Sequence, residues 1–168
     1  MDYSEAISYW DKKDEATSPM PRDILLPHIE NFIGAHNTCA LATGAGEFVR
    51  CTPIEYNYYD GKFWLLSEGG RKFLALKDNN NVSLAIYDPY IGLGKLAGMQ
   101  VTGKASFVET WSEEYLCLLA YKKISVESLK KLTHPLYLIC ITPTRIDYLW
   151  SEFKALGYDV RQHLLLDA

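Results

Sequence analysis

The sequence predicts a mainly β domain, a closed or split antiparallel barrel with helices inserted between its strands. Three observations predict it. About six segments have the period-two alternation of strands. Most of them are joined by short turns. Strands and helices do not interleave evenly, and no GxGxxG follows a strand, so a doubly wound sheet is not indicated. At 168 residues the chain reads as one domain, residues 1–168, with a helical segment over 1–35 and a tail over 152–168.

Each element has a local reason. Tyr3, Ala6, Ile7 and Trp10 recur at helical spacing, so a helix is expected over Tyr3–Lys13 until "TSPMPRD" breaks it. A second helix is expected to start near Pro27, a good first-turn residue, and to bury Leu26, Ile29, Phe32 and Ile33. "TCALAT" is a strand, "GAGE" a turn, and Phe48 to Tyr59 the next strand. Asp60-Gly61 marks a type I′ turn, whose central residues need positive φ, and "KFWLLS" returns. After Gly69-Gly70, "RKFLALKDN" is a short helix, "VSLAIYD" a buried strand and "MQVTGKASFVE" a long one. Ser112 is placed to cap a helix whose first turn holds Glu113 and Glu114, with Trp111 stapled to Leu116. "SVESLKKL" is a shorter helix. "PLYLICIT" and "RIDYLW" make the last strand, interrupted at Pro143, and "GYDVRQHLLLDA" has no assigned state.

Composition narrows the function. Lys plus Arg number 17 and Asp plus Glu 21, giving a net charge of −4, with a pI near 5.6. Nucleic acid and anionic membranes are therefore not expected partners. No apolar run reaches transmembrane length, and the acidic start "MDYSEAISYWDKKDE" lacks the features of a signal peptide. Cys39, Cys51, Cys117 and Cys140 show no metal-ligand spacing and read as reduced core residues of a cytoplasmic protein. No metal site is expected, since His36 and Cys39 are too sparse for zinc.

Chemistry concentrates in "FVRCTPIEYNYYDGKFWLLSEGGRKF". Alternation puts Arg50, Thr52, Ile54 and Tyr56 on one face and Val49, Cys51 and Pro53 on the other. An arginine inside an apolar strand must find an anion or reach water. Arg71 and Lys72 follow two glycines and open a helix, where cations, free N–H groups and the helix dipole suit a dianionic phosphate. A solvated basic loop is the alternative reading of the same residues.

From "HNTCALAT" through "VRCTPIEY", "DGKFWLLSEGGRKFLAL", "NNNVSLAIYD" and "QVTGKASFVE" to "PTRIDYLW", the chain resembles the FMN-binding split-barrel family related to pyridoxamine 5′-phosphate oxidase. The likeness covers most of residues 30–150. It implies a split β-barrel binding FMN at a homodimer interface. It places Arg50 and Lys72 on the FMN phosphate, helped by Arg71 and Ser67. Cys51, Thr52, Pro53 and Ile54 would run along the isoalloxazine ring, with main-chain contacts from Leu65 and Leu66. Gln100 would reach the flavin from the other subunit, and Trp150 would lie near the ring.

The departures from the oxidases bear on activity. Glu55 stands where they have a lysine that helps bind substrate phosphate, and a carboxylate there repels phosphate. "SEEYLCLLAYKK" lacks the Tyr, Arg and Ser that grip their substrate. "RQH", Arg161 to His163, resembles their Arg-Leu-His signature at a longer spacing. Vitamin B6 oxidation is therefore not expected. The nearest-looking branches are general stress proteins and 5-nitroimidazole reductases. In the latter a histidine can lie near the flavin, but His36 is expected instead to pair with carbonyls at a helix end.

The expected function is an FMN-dependent oxidoreductase of an unidentified small molecule, with a donor such as NAD(P)H. Hydride transfer to the flavin needs no protein acid or base, so no catalytic residue is named. The alternatives are a non-catalytic FMN- or haem-binding stress-response protein, and a structural stress protein with an empty barrel.

Overall fold

Eight strands build the core of the computed structural model, which describes residues 2–166. β1 (Thr38–Ala45) turns at Gly46-Glu47 into β2 (Phe48–Glu55). β3 (Asn57–Tyr59) turns at Asp60-Gly61 into β4 (Lys62–Ser67). Those two turn residues have φ of 52° and 70°, as the type I′ signal requires. The run expected as one strand from Phe48 to Tyr59 is thus two. The break falls at Tyr56, which is 3% exposed. Its N–H bonds the Asn37 carbonyl at 2.8 Å and its hydroxyl donates to the Ile33 carbonyl at 2.7 Å. Burying the ring turns the backbone out of the ladder.

β5 (Asn81–Tyr87), β6 (Ala97–Val108), β7 (Tyr137–Trp150) and β8 (Arg161–Leu165) complete the antiparallel order β2-β1-β5-β6-β7-β4-β3, with β8 on β7. The path starts at β2 and ends at β3, which are consecutive in the chain, so the sheet closes on itself as a split barrel. β7 lends one edge to β6 throughout, and the other first to β4 and then to β8. Pro143 does not interrupt it. The register instead shifts opposite Thr102/Gly103, and the bulge absorbs the missing donor. The unassigned tail supplies β8. Its inward Gln162 accepts from Met20 N–H at 2.8 Å and donates to the Asp159 carbonyl at 2.9 Å. A polar residue at a buried position hid the strand's alternation.

The helices are α1 (Ser4–Ile7), α2 (Tyr9–Ala16), α3 (Arg22–Ala35), α4 (Lys72–Leu76), α5 (Glu113–Tyr121) and α6 (Val126–Lys130). α3 starts at Arg22 rather than near Pro27, which lies inside it. Pro21, with φ −53°, delivers the chain to the first turn, and Pro27 lies a turn further in, where it cannot donate to the Asp23 carbonyl. Its buried stripe is Leu25, Ile29 and Ile33, with Leu26 and Phe32 packed at the margin. These side chains join Leu41, Phe63, Leu84 and Val101 in the barrel core. A second cluster lies outside the barrel, where Tyr115, Leu118, Leu119 and Leu129 cover Trp64, Leu138 and Cys140. Ser112 caps α5 by accepting from Tyr115 N–H. Trp111 packs on the Tyr115 ring at 5.4 Å between centroids, not on Leu116, which faces out.

The expected N-terminal helix is two short ones divided at Ser8, and neither buries a residue. Charge holds it instead. Asp14 bridges Arg145 and Arg161 at 3.0 Å each, and Asp147 bonds the same two arginines. Arg161 also lies 4.6 Å from the Trp10 ring centroid. Asp14→Ala is expected to expose residues 4–16 to limited proteolysis while lowering the unfolding free energy of the barrel by only about 1 kcal/mol. Among the described residues, no helix is long and apolar enough to cross a membrane.

Candidate functional site

The cations identified in the sequence converge on one end of the barrel. β1 points Cys39, Leu41 and Thr43 inward, and Thr43 faces Arg50 across the β1–β2 ladder. Arg50, Thr52 and Ile54 share the face that leads to buried Tyr56, with Thr52 and Ile54 half-buried and Arg50 exposed at the strand's open end, while Val49, Cys51 and Pro53 are exposed on the other face. The chain leaves β4 through Gly69 and Gly70, at φ 126° and 100°, which only glycine adopts readily. Ser67 fixes this turn, its hydroxyl accepting from Gly69 N–H at 3.1 Å. The turn delivers Lys72 into the protein at 6% exposure, where its ammonium donates to the Gly69 carbonyl. Burial, then the nearby Arg50 guanidinium, pushes the Lys72 pKa down. Arg71 lies over the Phe48 ring at 5.8 Å, at the same end of β2.

Arg50, Arg71 and Lys72 form no salt bridge among the described residues. A buried lysine beside an arginine with no carboxylate is an unbalanced arrangement. The hydroxyls of Thr43 and Thr52 are also buried without a hydrogen-bond partner. Two cations and two idle donors fit a phosphate. The attraction comes from side chains, because α4 has only five residues and adds little dipole.

The outer face of the sheet is built differently. Pro53, Ala40, Ala85 and Gln100 form one cross-strand row, and Cys51, Ala42, Ser83 and Thr102 the next. Apart from Gln100 these side chains are small, which leaves room over this face for a planar ring. Two concavities open on it. One, of about 370 Å³, is lined by His36, Ala40, Pro53 and Tyr87. The other, of about 360 Å³, is lined by Trp10, Gln100, Asp147 and Arg161.

Leu65 and Leu66, expected to offer main-chain contacts, run along β4 directly into Ser67. Leu65 is fully buried in the barrel, and Leu66 packs outward into the second cluster. Trp150 faces Ala97 on β6, six residues from the Gly103 that lies in register with Val82, Thr43 and Arg50. That is roughly 20 Å along a strand. Trp150 packs there against His28, Tyr148 and Phe153. In this chain it does not meet the cations.

Glu55 pairs with Lys122 at 3.0 Å, a partner the sequence did not suggest. His36 donates from Nδ1 to the Phe32 carbonyl at 2.8 Å, the expected helix-end bond, and its Nε2 lies 2.9 Å from Asp88. Cys39 and Cys140 are buried, and burial pushes the Cys39 thiol up to about 12. Cys51 and Cys117 are exposed, against expectation, because each falls on the outward face of its strand or helix. Among the described residues, no group of three His, Cys, Asp or Glu could hold a metal ion.

The family model described as pyridoxamine 5′-phosphate oxidase matches residues 25–150. No curated protein matches the chain. Among solved structures, it is similar to the heme storage protein HutZ from Vibrio cholerae, at 21% identity and TM-score 0.58, covering 70% of this chain and 88% of that one. An FAD-binding protein from Mesorhizobium loti is similar at 15% identity and TM-score 0.58, covering 72% and 89%. The General Stress Protein 26 from Bacillus anthracis is similar at 20% identity and TM-score 0.58, covering 84% and 98%. At these identities the likenesses speak for the fold.

Proposed function

We propose, since the chain belongs to the pyridoxamine 5′-phosphate oxidase family, that it is an FMN-dependent oxidoreductase acting on a small molecule. It works in the cytoplasm as a homodimer with FMN at the subunit interface. The observation behind this reading is buried Lys72 beside Arg50 with no carboxylate between them. A phosphate dianion supplies the counter-charge, held by Arg50, Lys72, Arg71 and Ser67. Thr52 and Ile54 continue from the phosphate along β2, while Cys51, Pro53 and the partner copy's surface at Gln100 bound the ring. FMN, when bound, supplies hydride or electron transfer. The protein binds it, orients it and excludes water. The donor is NADH or NADPH, and the acceptor is small and not a phosphate ester, because Glu55 and Lys122 neutralise each other.

A second reading has support from the heme storage protein of Vibrio cholerae and the heme binding protein of Mycobacterium smegmatis, both similar in fold. In it the barrel holds FMN or haem without turnover. The absorption spectrum of the isolated protein separates the cofactors. Flavin bands near 370 and 450 nm (roughly, as for any flavin) are expected, with no Soret band. Anaerobic NADPH or NADH is then expected to bleach the flavin within seconds. A flavin that stays oxidised marks a carrier, and a Soret band marks the haem reading.

A further inference from the structure

We propose that Thr43 belongs to the anion cradle and that its hydroxyl donates to the bound phosphate beside Arg50 and Lys72. The proposal rests on the FMN reading and adds a residue to it. Thr43 is 3% exposed and its Oγ1 has no partner among the described residues. Buried hydroxyls are almost always bonded, so an idle one needs a reason. Packing does not provide it. The inward residues before it on β1, Cys39 and Leu41, are apolar, and valine would fill the same volume. Its place in the ladder does provide a reason. Thr43 faces Arg50 directly, which brings their Cβ atoms to about 5 Å on one face of the sheet. Thr52, two residues along that face, holds the second idle hydroxyl. α4 packs against β1 and β2 and brings Lys72 to the same end of the barrel, where the Arg50 charge acts on its ammonium. Three elements thus bring two cations and two neutral donors to one end of the barrel.

The chemistry suits a phosphate monoester. Its three terminal oxygens can accept more hydrogen bonds than one guanidinium fork and an ammonium that already donates to the Gly69 carbonyl supply in good geometry. A threonine adds a donor without adding charge to a site already short of counter-ions. Rotation about χ1 by about 120° exchanges Oγ1 with Cγ2 and re-aims the hydroxyl without moving the backbone.

The test compares Thr43→Val and Thr43→Ser with the wild-type chain, all stripped of ligand. FMN, riboflavin and inorganic phosphate are the probes, and the urea midpoint of the ligand-free protein is the second readout. Thr43→Val is expected to weaken FMN roughly tenfold. It should leave riboflavin unchanged and the ligand-free protein at least as stable, since an unsatisfied hydroxyl has been removed. Thr43→Ser should bind FMN like the wild type. Unchanged FMN affinity in Thr43→Val, or equal losses of FMN and riboflavin, overturns the proposal. If Thr43→Val does not fold, Thr43→Ala against Thr43→Ser makes the same comparison. A wild-type chain that binds phosphate but not FMN ends the FMN reading alone, and a weaker phosphate affinity in Thr43→Val still supports the cradle. A chain that binds neither ends both.

Discussion

Arg50→Ala combined with Lys72→Met purifies without flavin and stays folded. Each side chain is assigned charge-assisted hydrogen bonds to phosphate, worth about 1.5–3 kcal/mol apiece. Losing both weakens FMN by roughly 10²–10⁴-fold, enough to strip it during purification. Stability goes the other way in the ligand-free protein. Lys72 is buried beside Arg50 without an anion, so replacing it by an apolar side chain of similar length removes a desolvated charge and keeps the packing. The double variant should melt no lower than the stripped wild type. Stoichiometric FMN in the purified variant would mean that the phosphate lies elsewhere.

The same lysine sets a pH dependence. Its folded pKa lies below the ordinary 10.5, first through burial and then through Arg50. Between the folded and unfolded values the unfolded chain binds more protons, so ligand-free stability rises with pH across that window. Phosphate binding needs the ammonium, so FMN affinity falls as pH rises through the folded pKa. Titrating FMN against pH should show the fall in wild type and its loss in Lys72→Met.

Much of this site was legible in the sequence because its signals are local. Two glycines before Arg71-Lys72, one arginine in an otherwise apolar strand and the Asp60-Gly61 turn each carry a signal by themselves. The closure of the barrel was less legible, because it depends on the chain breaking at Tyr56, whose carbonyl partner Ile33 lies 23 residues away. Thr43 had a signal in "TCALAT", as the third inward position after Cys39 and Leu41, but a threonine there is also ordinary strand material. The Glu55–Lys122 pair and the bridges from Asp14 to Arg145 and Arg161 join residues far apart in sequence, and no pattern in one chain announces them. β8 was hidden for the same reason. Its buried Gln162 reads as polar until Met20 N–H is seen to satisfy it.

The largest effect on stability is expected at Gly103. It sits at the register shift between β6 and β7, buried in the barrel wall. A Cβ added there would lie 2.6 Å from the Thr142 carbonyl oxygen, 3.0 Å from Ile141 Cγ2 and 3.2 Å from Pro143 Cα. Two of those three atoms are backbone in the longest strand, which is bonded on both edges, so neither strand can give way without breaking ladder bonds. Pro143 deepens the problem, since β7 reaches past it only because the bulge and a bare α-carbon opposite leave room. Gly103→Ala is therefore expected to cost about 3 kcal/mol or more, a large share of the 5–15 kcal/mol that typically holds a domain. Gly98→Ala, five residues earlier on β6, is the control. Its added Cβ would meet Tyr87 Cβ at 3.5 Å and the Ile86 carbonyl at 3.9 Å, ordinary contacts. Urea unfolding of the two variants should show a large drop in midpoint for the first and a change of under about 1 kcal/mol for the second. Equal midpoints would mean that β6 and β7 do not meet in the register that builds this barrel.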